Sequence, residues 1–192
     1  MSKNNTEKQA TFIADIDTIR KRARKHIEDG AVTDSYKGNR EAVIKVLNEA
    51  LATEIVCVLR YKRHHYTAKG IHSLAVAAEF LEHANEEQGH ADRIAERITQ
   101  LDGEPNFDPA GLLSRSHSQY VEGDTLLEMI KEDLIAERIA IESYSEIIRY
   151  LGDHDPTSRR LMEEILANEE EHAEEMKTLL ESIGKEEKKS DH

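Results

Sequence analysis

The sequence predicts an all-α protein, a four-helix bundle with one long crossover between its second and third helices. Three of the 192 residues are proline, none is tryptophan, and 34% are charged. Alanine, leucine, glutamate, lysine and arginine are abundant, and these residues favour helix. Apolar residues recur at alternating spacings of three and four in four segments, as they do in helices that pack along one face.

Capping signals delimit these four segments. A residue that commonly caps a helix N-terminus precedes each one, and a glycine follows each one, where a left-handed C-cap would lie. Asn39 and Ser73 are the first two N-caps, the capping box Thr125-x-x-Glu128 starts the third helix, and Asp155-Pro156 starts the fourth. The predicted helices cover 39–69, 73–102, 124–151 and 155–183, and the glycines are Gly70, Gly103, Gly152 and Gly184.

The lengths of the connections predict the order of the helices. Residues 70–72 and 152–154 are short connections, so each should close an antiparallel hairpin. Residues 103–123 are numerous enough to run the length of the bundle, so the second and third helices can lie parallel. The prediction is an up-down-down-up bundle.

The remaining residues flank this bundle. We predict an N-terminal extension at 1–38, in which residues 8–29 form an extra amphipathic helical stretch. The bundle itself occupies 39–184. Residues 185–192 are polar, and we expect a disordered tail there.

A pattern of glutamate, tyrosine and Glu-x-x-His occurs twice on the predicted helices. The first copy is Glu54, Tyr61 and Glu87-Gln88-Gly89-His90, and the second is Glu137, Tyr144 and Glu169-Glu170-Glu171-His172. All these glutamates and histidines fall on apolar seams, where an unpartnered carboxylate would cost several kcal/mol. Two divalent cations would neutralise four carboxylates, and each histidine would supply one nitrogen, so the pattern predicts a di-metal site.

The spacing also suggests individual roles. Glu87 and Glu169 are assigned as bridging ligands, and Glu54 and Glu137 as terminal ones. His90 and His172 then cap one metal each, since three-residue spacing places both side chains of Glu-x-x-His on one helix face. The metals should lie about 3.5–4 Å apart. Tyr61 and Tyr144 are either hydrogen-bond or electron donors to the site, or ordinary core tyrosines.

Three features near the motifs have two interpretations each. Cys57, one turn from Glu54, is a redox reporter or a small buried residue. His83, one turn before Glu87, is a second and weaker metal position, or a histidine that is hydrogen-bonded elsewhere or exposed to solvent. The basic run near residue 60 indicates a solvated face or a subunit contact; its members are Arg60, Lys62, Arg63, His64 and His65.

Charge and composition narrow the class of partner. The net charge of −13 repels nucleic acid and anionic membranes and attracts cations. One cysteine excludes an internal disulfide framework and fits a reducing compartment. No secretory signal and no run of about 18 apolar residues is visible. We therefore expect a cytoplasmic protein without a membrane partner.

The chain resembles the bacterioferritin branch of the ferritin-like superfamily over residues 39–183. The resemblance rests on 52–54, 86–94, 101–106 and 169–172. It implies a ferroxidase that binds two iron ions per subunit, oxidises Fe²⁺ with O₂ or H₂O₂, and stores Fe³⁺ in a protein cage. It also carries the ligand roles onto the same six residues, Glu54, Glu87, His90, Glu137, Glu169 and His172, and Tyr61 matches the family's tyrosine near the site.

Two departures from that family shape the expectation. Gln88 stands where bacterioferritins carry the methionine that binds haem, so we expect no haem. The residues that follow Gly184 are polar and have no apolar stripe, so the fifth helix of 24-subunit cages is not expected. With an extra N-terminal helix and without a fifth helix, the chain is similar to Dps-like proteins that keep a bacterioferritin-type site. This similarity implies a homo-oligomeric cage of 12 subunits.

Two other functions remain open at this stage. Di-iron oxygenases and manganese catalases use the same ligands on the same bundle, and fold cannot separate them. A rubrerythrin would need Cys-x-x-Cys pairs, and only Cys57 is present. The basic cluster at residues 20–25 is of the sort that binds phosphates, so a DNA-protecting role is an alternative, although flanking acidic residues and the net charge oppose it.

Overall fold

The structure, a computed structural model, describes residues 15–70 and 72–190, with the backbone alone for 186–190. In these residues it has no strand, and six α-helices follow one another. They are α1 (Ile16–Ala23), α2 (Arg40–Thr67), α3 (Ser73–Gln100), α4 (Leu112–Arg115), α5 (Leu126–Leu151) and α6 (Pro156–Ser190), with a 3₁₀ turn at Ile27–Asp29. The predicted all-α class is confirmed.

The four long helices form two antiparallel hairpins, α2/α3 and α5/α6. Contacts between the hairpins show their directions. Arg60, late in α2, binds Asp133, early in α5, while Glu54, earlier in α2, accepts a hydrogen bond from Tyr144, late in α5. Thus α2 and α5 are antiparallel. Since α2 and α3 are also antiparallel, α3 and α5 run parallel, as the long crossover predicted.

Apolar layers close the bundle on both sides of a polar centre. Towards the C-terminal end of α2, the core contains Phe80, Ile130 and Met176. Towards the N-terminal end of α2, Leu47 and Ile94 are fully buried. A centre enclosed in this way has a low local dielectric, which strengthens electrostatic interactions within it.

Most of the predicted helix ends agree with the structure. The Thr125 hydroxyl accepts from the backbone N–H of Glu128, and the Glu128 side chain completes the capping box. Asp155 accepts from the N–H of Ser158 at 2.9 Å. Ser73, however, is the first helical residue of α3, and His72 holds the N-cap position. The Ser73 hydroxyl donates to the carbonyl of Gly70.

The two flanking segments differ from the prediction. Helix α1 covers Ile16–Ala23 and is shorter than the predicted stretch 8–29, of which residues 8–14 lie outside the described residues. Its end precedes His26, whose φ of 48° breaks helical geometry. Helix α6 continues through Gly184 to Ser190, so the predicted end near 183 is wrong; the last turns gain an i,i+4 pair between Glu181 and Lys185.

The chain divides into two compact units, the first ending at Tyr36 and the second beginning at Lys37. That division falls two residues before the predicted start of the bundle segment. None of the helices in the described residues is both long and apolar enough to cross a bilayer.

Candidate metal centre

The bundle brings the six predicted ligands together at its centre. Helix α2 supplies Glu54, α5 supplies Glu137, and α3 and α6 each supply one Glu-x-x-His pair. None of the six is more than 5% exposed. They form two groups of four: Glu54, Glu87, His90 and Glu169 in one, and Glu87, Glu137, Glu169 and His172 in the other. Within each group the ligand atoms lie within 4.8 Å of one another, and both groups contain Glu87 and Glu169.

Each histidine directs its Nδ1 atom at the carboxylates. Nδ1 of His90 lies 3.0 Å from Glu169 and 3.4 Å from both Glu54 and Glu87. Nδ1 of His172 lies 3.5 Å from Glu87, 3.9 Å from Glu137 and 4.0 Å from Glu169. The two histidines therefore approach the shared carboxylates from opposite halves of the site.

The centre concentrates buried polar atoms that lack hydrogen-bond partners. Ten such side-chain atoms occur in the part of the chain that the structure describes, and seven belong to the six ligands. Leaving a buried polar atom unpaired costs about 1–3 kcal/mol, and more when it is charged. Converging lone pairs of oxygen and imidazole nitrogen are the donor set of divalent transition metals, so the residues present fit a pair of such ions. The seven atoms are Oε2 of Glu54, both oxygens of Glu87, Oε2 of Glu137, Oε1 of Glu169, and Nδ1 of His90 and His172.

The carboxylates do not all ionise alike in the absence of metal. Burial, reinforced by the charge of Glu87, raises the pKa of Glu54, Glu137 and Glu169 above the ordinary glutamate value. Burial acts in the same direction on Glu87, but its contacts with Glu54, His172 and His90 outweigh it and hold its pKa below the ordinary range. The metal-free centre therefore retains protons, which bound cations would displace.

The histidines carry raised pKa values. Burial opposes the protonated form of His172, but its interactions with Glu87 and Glu137 raise its pKa to about 9. The pKa of His90 is also raised, because its contacts with Glu169, Glu54 and Glu87 outweigh burial. Without metal, protonated imidazole rings thus partly balance the carboxylates.

The two tyrosines of the repeated pattern cross between the hairpins. The Tyr61 hydroxyl donates to Glu137, and the Tyr144 hydroxyl donates to Glu54. Each tyrosine lies two turns along the helix from the glutamate of its own helix. In the antiparallel helices α2 and α5, however, a residue two turns beyond one glutamate lies level with the other glutamate. Each tyrosine therefore contacts the glutamate of the opposite hairpin.

Two side chains near the centre have partners that the sequence did not reveal. Glu86 places Oε2 2.6 Å from Nε2 of His172 and so fixes the orientation of that ring. His83 is 1% exposed, and its ring stacks on that of His172 with centroids 4.1 Å apart. Glu86 directly precedes Glu87, and this adjacency was the one available signal for it.

The basic run near residue 60 is partly buried, contrary to expectation. Arg60 and His64 are fully buried and bind the two oxygens of Asp133, each at 2.8 Å. Arg60 also donates to the hydroxyl of Ser118 at 3.1 Å and to the carbonyl of Gln119 at 3.0 Å, both in the crossover. The prediction of a solvated face or subunit contact is therefore wrong for Arg60 and His64, because the crossover and α5 cover them.

Cys57 lies inside the bundle. It is 2% exposed, with its sulfur 3.7 Å from Nη2 of Arg60. Burial raises the pKa of its thiol well above the ordinary value. The burial and the raised pKa favour the interpretation of Cys57 as a small buried residue over a redox reporter.

Bundle topology and donor set together define a class: ferritin-like four-helix bundles with a buried carboxylate–histidine centre that could hold metal ions. Comparison with known sequences agrees. The family described as "Ferritin-like domain" matches residues 44–185. The chain belongs to the ferritin-like domain family. A bacterioferritin from Desulfovibrio desulfuricans is 32% identical over 152 residues, covering 77% of this chain and 79% of the relative.

Solved structures extend the similarity. A dodecameric thioferritin, the bacterioferritin-related protein from Bacteroides fragilis, superposes with a TM-score of 0.76 at 30% identity, covering 80% of this chain and 92% of that one. Dps from Thermosynechococcus elongatus superposes with a TM-score of 0.70 at 25% identity, covering 73% and 90%. The resemblance to bacterioferritins and Dps-like proteins is thus confirmed.

Proposed function

We propose that the protein is a ferroxidase that oxidises Fe²⁺ with O₂ or H₂O₂ and stores the Fe³⁺ product inside a protein cage. One observation supports this most strongly: two buried ligand groups share Glu87 and Glu169. Adjacent groups with common carboxylates suit two substrate ions held side by side, from which two electrons leave together.

In this proposal Glu87 and Glu169 bridge the two Fe²⁺ ions. Glu54 and His90 complete one position, and Glu137 and His172 complete the other. Four carboxylates balance two Fe²⁺ ions in charge. Tyr61 and Tyr144 hold the terminal glutamates, while Glu86 orients His172.

The electron balance is simple. Two Fe²⁺ ions become two Fe³⁺ ions and release two electrons. With two protons, these electrons reduce H₂O₂ to two water molecules, or O₂ to H₂O₂.

Fe²⁺ oxidation tests this proposal directly. We expect anaerobic binding of two Fe²⁺ per chain at the centre, followed by rapid oxidation when O₂ or H₂O₂ is added. Glu87→Gln should slow oxidation by at least the roughly 10–100-fold that loss of an outer contact costs. Glu96→Gln, an exposed change on the same helix, is the matched control. Equal rates in both variants would refute the role of the centre.

We further propose a homo-oligomeric cage of 12 subunits. The support is the Bacteroides fragilis protein, which is dodecameric and of which this chain covers 92%. Native mass spectrometry after aerobic iron loading tests it. A 12-subunit, iron-rich particle supports storage. A 24-subunit mass would overturn the subunit number, and a dimer with two metals per chain would favour the oxygenase or catalase alternative.

We also propose that the protein binds no haem. Gln88 is exposed and donates its amide to Asp92 at 2.9 Å. Met129, Met162 and Met176 are all buried in the core. A Soret band in protein purified from haem-replete cells would contradict this. We also propose a cytoplasmic location. DNA protection is an alternative function, and a gel shift at several salt concentrations can test it.

A further inference from the structure

A second cluster of potential ligands adjoins the centre on α3 and α6. Nε2 of the buried His83 lies 2.8 Å from Oε2 of Glu175 and 3.9 Å from Oε1 of Glu79. Ligand atoms of these three residues all lie within 4.8 Å of one another. The side chains of Glu79 and Glu175 are 34% and 43% exposed, whereas that of His83 is 1% exposed. The cluster therefore connects solvent with the interior.

The hydrogen bonds of Tyr61 and His83 indicate which ring nitrogen of His83 has a lone pair facing this cluster. The single hydroxyl hydrogen of Tyr61 is donated to Glu137, so the Tyr61 oxygen accepts from Nδ1 of His83, 3.1 Å away. A neutral His83 with its hydrogen on Nδ1 directs the Nε2 lone pair at two carboxylates. Two negative charges and one imidazole nitrogen suit a divalent transition-metal ion.

His83 also connects this cluster with the proposed iron ligands. It belongs to a further group of potential ligands, together with Glu137 and His172. Its ring is stacked on that of His172, with 20° between the planes. An ion held by Glu79, His83 and Glu175 would thus lie one ligand away from the centre.

The opposite hairpin has no equivalent. His83 lies four residues before Glu87 (87 − 4), and the residue four before Glu169 (169 − 4) is Ile165, which is fully buried. Among the described residues, no group of potential metal ligands includes a residue of α6 that precedes Glu169. A route through a histidine therefore exists on one side of the centre.

We propose that Glu79, His83 and Glu175 form a third divalent-cation site, which captures Fe²⁺ from solvent and passes it to the centre. The capture site stands on its own geometry, while the delivery role rests on the proposed ferroxidase function. Delivery involves no redox step at the third site: Fe²⁺ exchanges water for protein ligands and then moves to Glu137 and His172.

Zn²⁺ binding to the intact protein tests the site without any oxidation. The double variant Glu79→Gln/Glu175→Gln changes two partly exposed side chains and leaves the six central ligands in place. Glu82→Gln/Glu174→Gln is the matched control, since both residues are exposed and lie on the same two helices. By titration calorimetry, the first variant should bind one Zn²⁺ fewer per chain than the control. Equal numbers would overturn the site.

Fe²⁺ oxidation at varied iron concentration tests delivery separately. In the Glu79→Gln/Glu175→Gln variant, the Fe²⁺ concentration for half-maximal rate should rise about tenfold, as for loss of charge steering. The rate at saturating Fe²⁺ should equal that of the control. An unchanged half-maximal concentration would overturn delivery. Absence of oxidation in every protein, with the Zn²⁺ difference intact, would instead refute the proposed function and leave the site.

Discussion

The two hairpins offer the same candidate ligands to the centre but surround them differently. Each contributes a lone glutamate, a Glu-x-x-His pair and a tyrosine. In the first hairpin, His83 and Glu86 add polar contacts to His172. The matching positions of the second hairpin hold Ile165 and Asn168. A repeated ligand pattern therefore does not make two equivalent metal positions, because the neighbours of each ligand come from the other hairpin.

The hairpins also differ in the charges with which they dock. Arg60 on α2 binds Asp133 on α5, and Arg97 on α3 binds Asp155 at the start of α6. Both arginines belong to the first hairpin and both aspartates to the second. Docking of two like hairpins would bury arginine against arginine or aspartate against aspartate, which is strongly unfavourable, so these pairs favour docking of unlike hairpins.

Removing one partner of the most buried pair should break this docking and give the largest effect. Asp133→Ala leaves Arg60 buried without its carboxylate and removes the partner of His64 as well. We expect a loss of about 3–5 kcal/mol in the free energy of unfolding. Urea denaturation measures it. The neighbouring, partly buried Glu132→Ala is the control, and equal midpoints for the two variants would show that the pair is not needed for docking.

The pH dependence of the metal-free protein's stability should reflect the raised pKa values of both histidines. The pKa of His172 rises from 6.5 in the unfolded chain to about 9 when folded. Its contribution to stability is present below 6.5 and is lost as pH increases through 9, on the order of 3–4 kcal/mol at about 1.4 kcal/mol per pKa unit. The pKa of His90 is also raised, so its contribution falls in the same direction.

Denaturation in the presence of chelator, from pH 6 to pH 9, checks this sign. Metal-free wild type should lose stability as pH rises, and His172→Gln should lose less over the same window. Stability that increases with pH in the wild type would contradict the assignment. Saturating Zn²⁺ should reverse the trend, because metal competes with protons for the same atoms.

The unequal support of the two histidines should appear in metal affinity. Glu86→Gln weakens the contact that orients His172, and we expect a loss of about 10–100-fold in affinity at one of the two positions. Asn168→Ala changes the matching residue of the other hairpin and should alter neither position. Zn²⁺ titration calorimetry resolves the steps. Equal losses at both positions would mean that the centre responds as one unit.

The smallest expected difference concerns the crossed tyrosines. Tyr144→Phe removes a hydrogen bond to Glu54, whereas Tyr61→Phe removes one to Glu137 and the partner of His83. A hydrogen bond to a charged group contributes about 1.5–3 kcal/mol, so Tyr61→Phe should be the more destabilising variant. Thermal melts of both metal-free variants test this order, and a larger loss for Tyr144→Phe would contradict it.

Much of this architecture could be predicted because periodicity and chemistry agree along the chain. The capping box at Thr125 and the long crossover gave the topology. The six candidate ligands could be singled out because carboxylates such as Glu137 interrupt apolar seams at helical spacing, where burial without a partner is costly.

Other features could not be predicted because they depend on contacts between distant segments. Arg60 and His64 lie in a run of charged residues, and only the crossover and Asp133 make their burial favourable. Which glutamate each tyrosine contacts depends on the axial alignment of two antiparallel helices, and local sequence spacing does not give that alignment. Gly184 is an end signal that the structure does not follow, since α6 continues through it to Ser190.

The tyrosine contacts have a consequence for ultraviolet fluorescence. With no tryptophan and six tyrosines, the chain emits as a tyrosine protein. A phenol hydrogen-bonded to a carboxylate is quenched, since the excited ring passes its proton to the acceptor. A closed-shell ion such as Zn²⁺ occupies the lone pairs of Glu54 and Glu137 and makes them poorer acceptors. Tyr144 and Tyr61 should therefore brighten as the centre fills, giving a label-free optical signal of its occupancy.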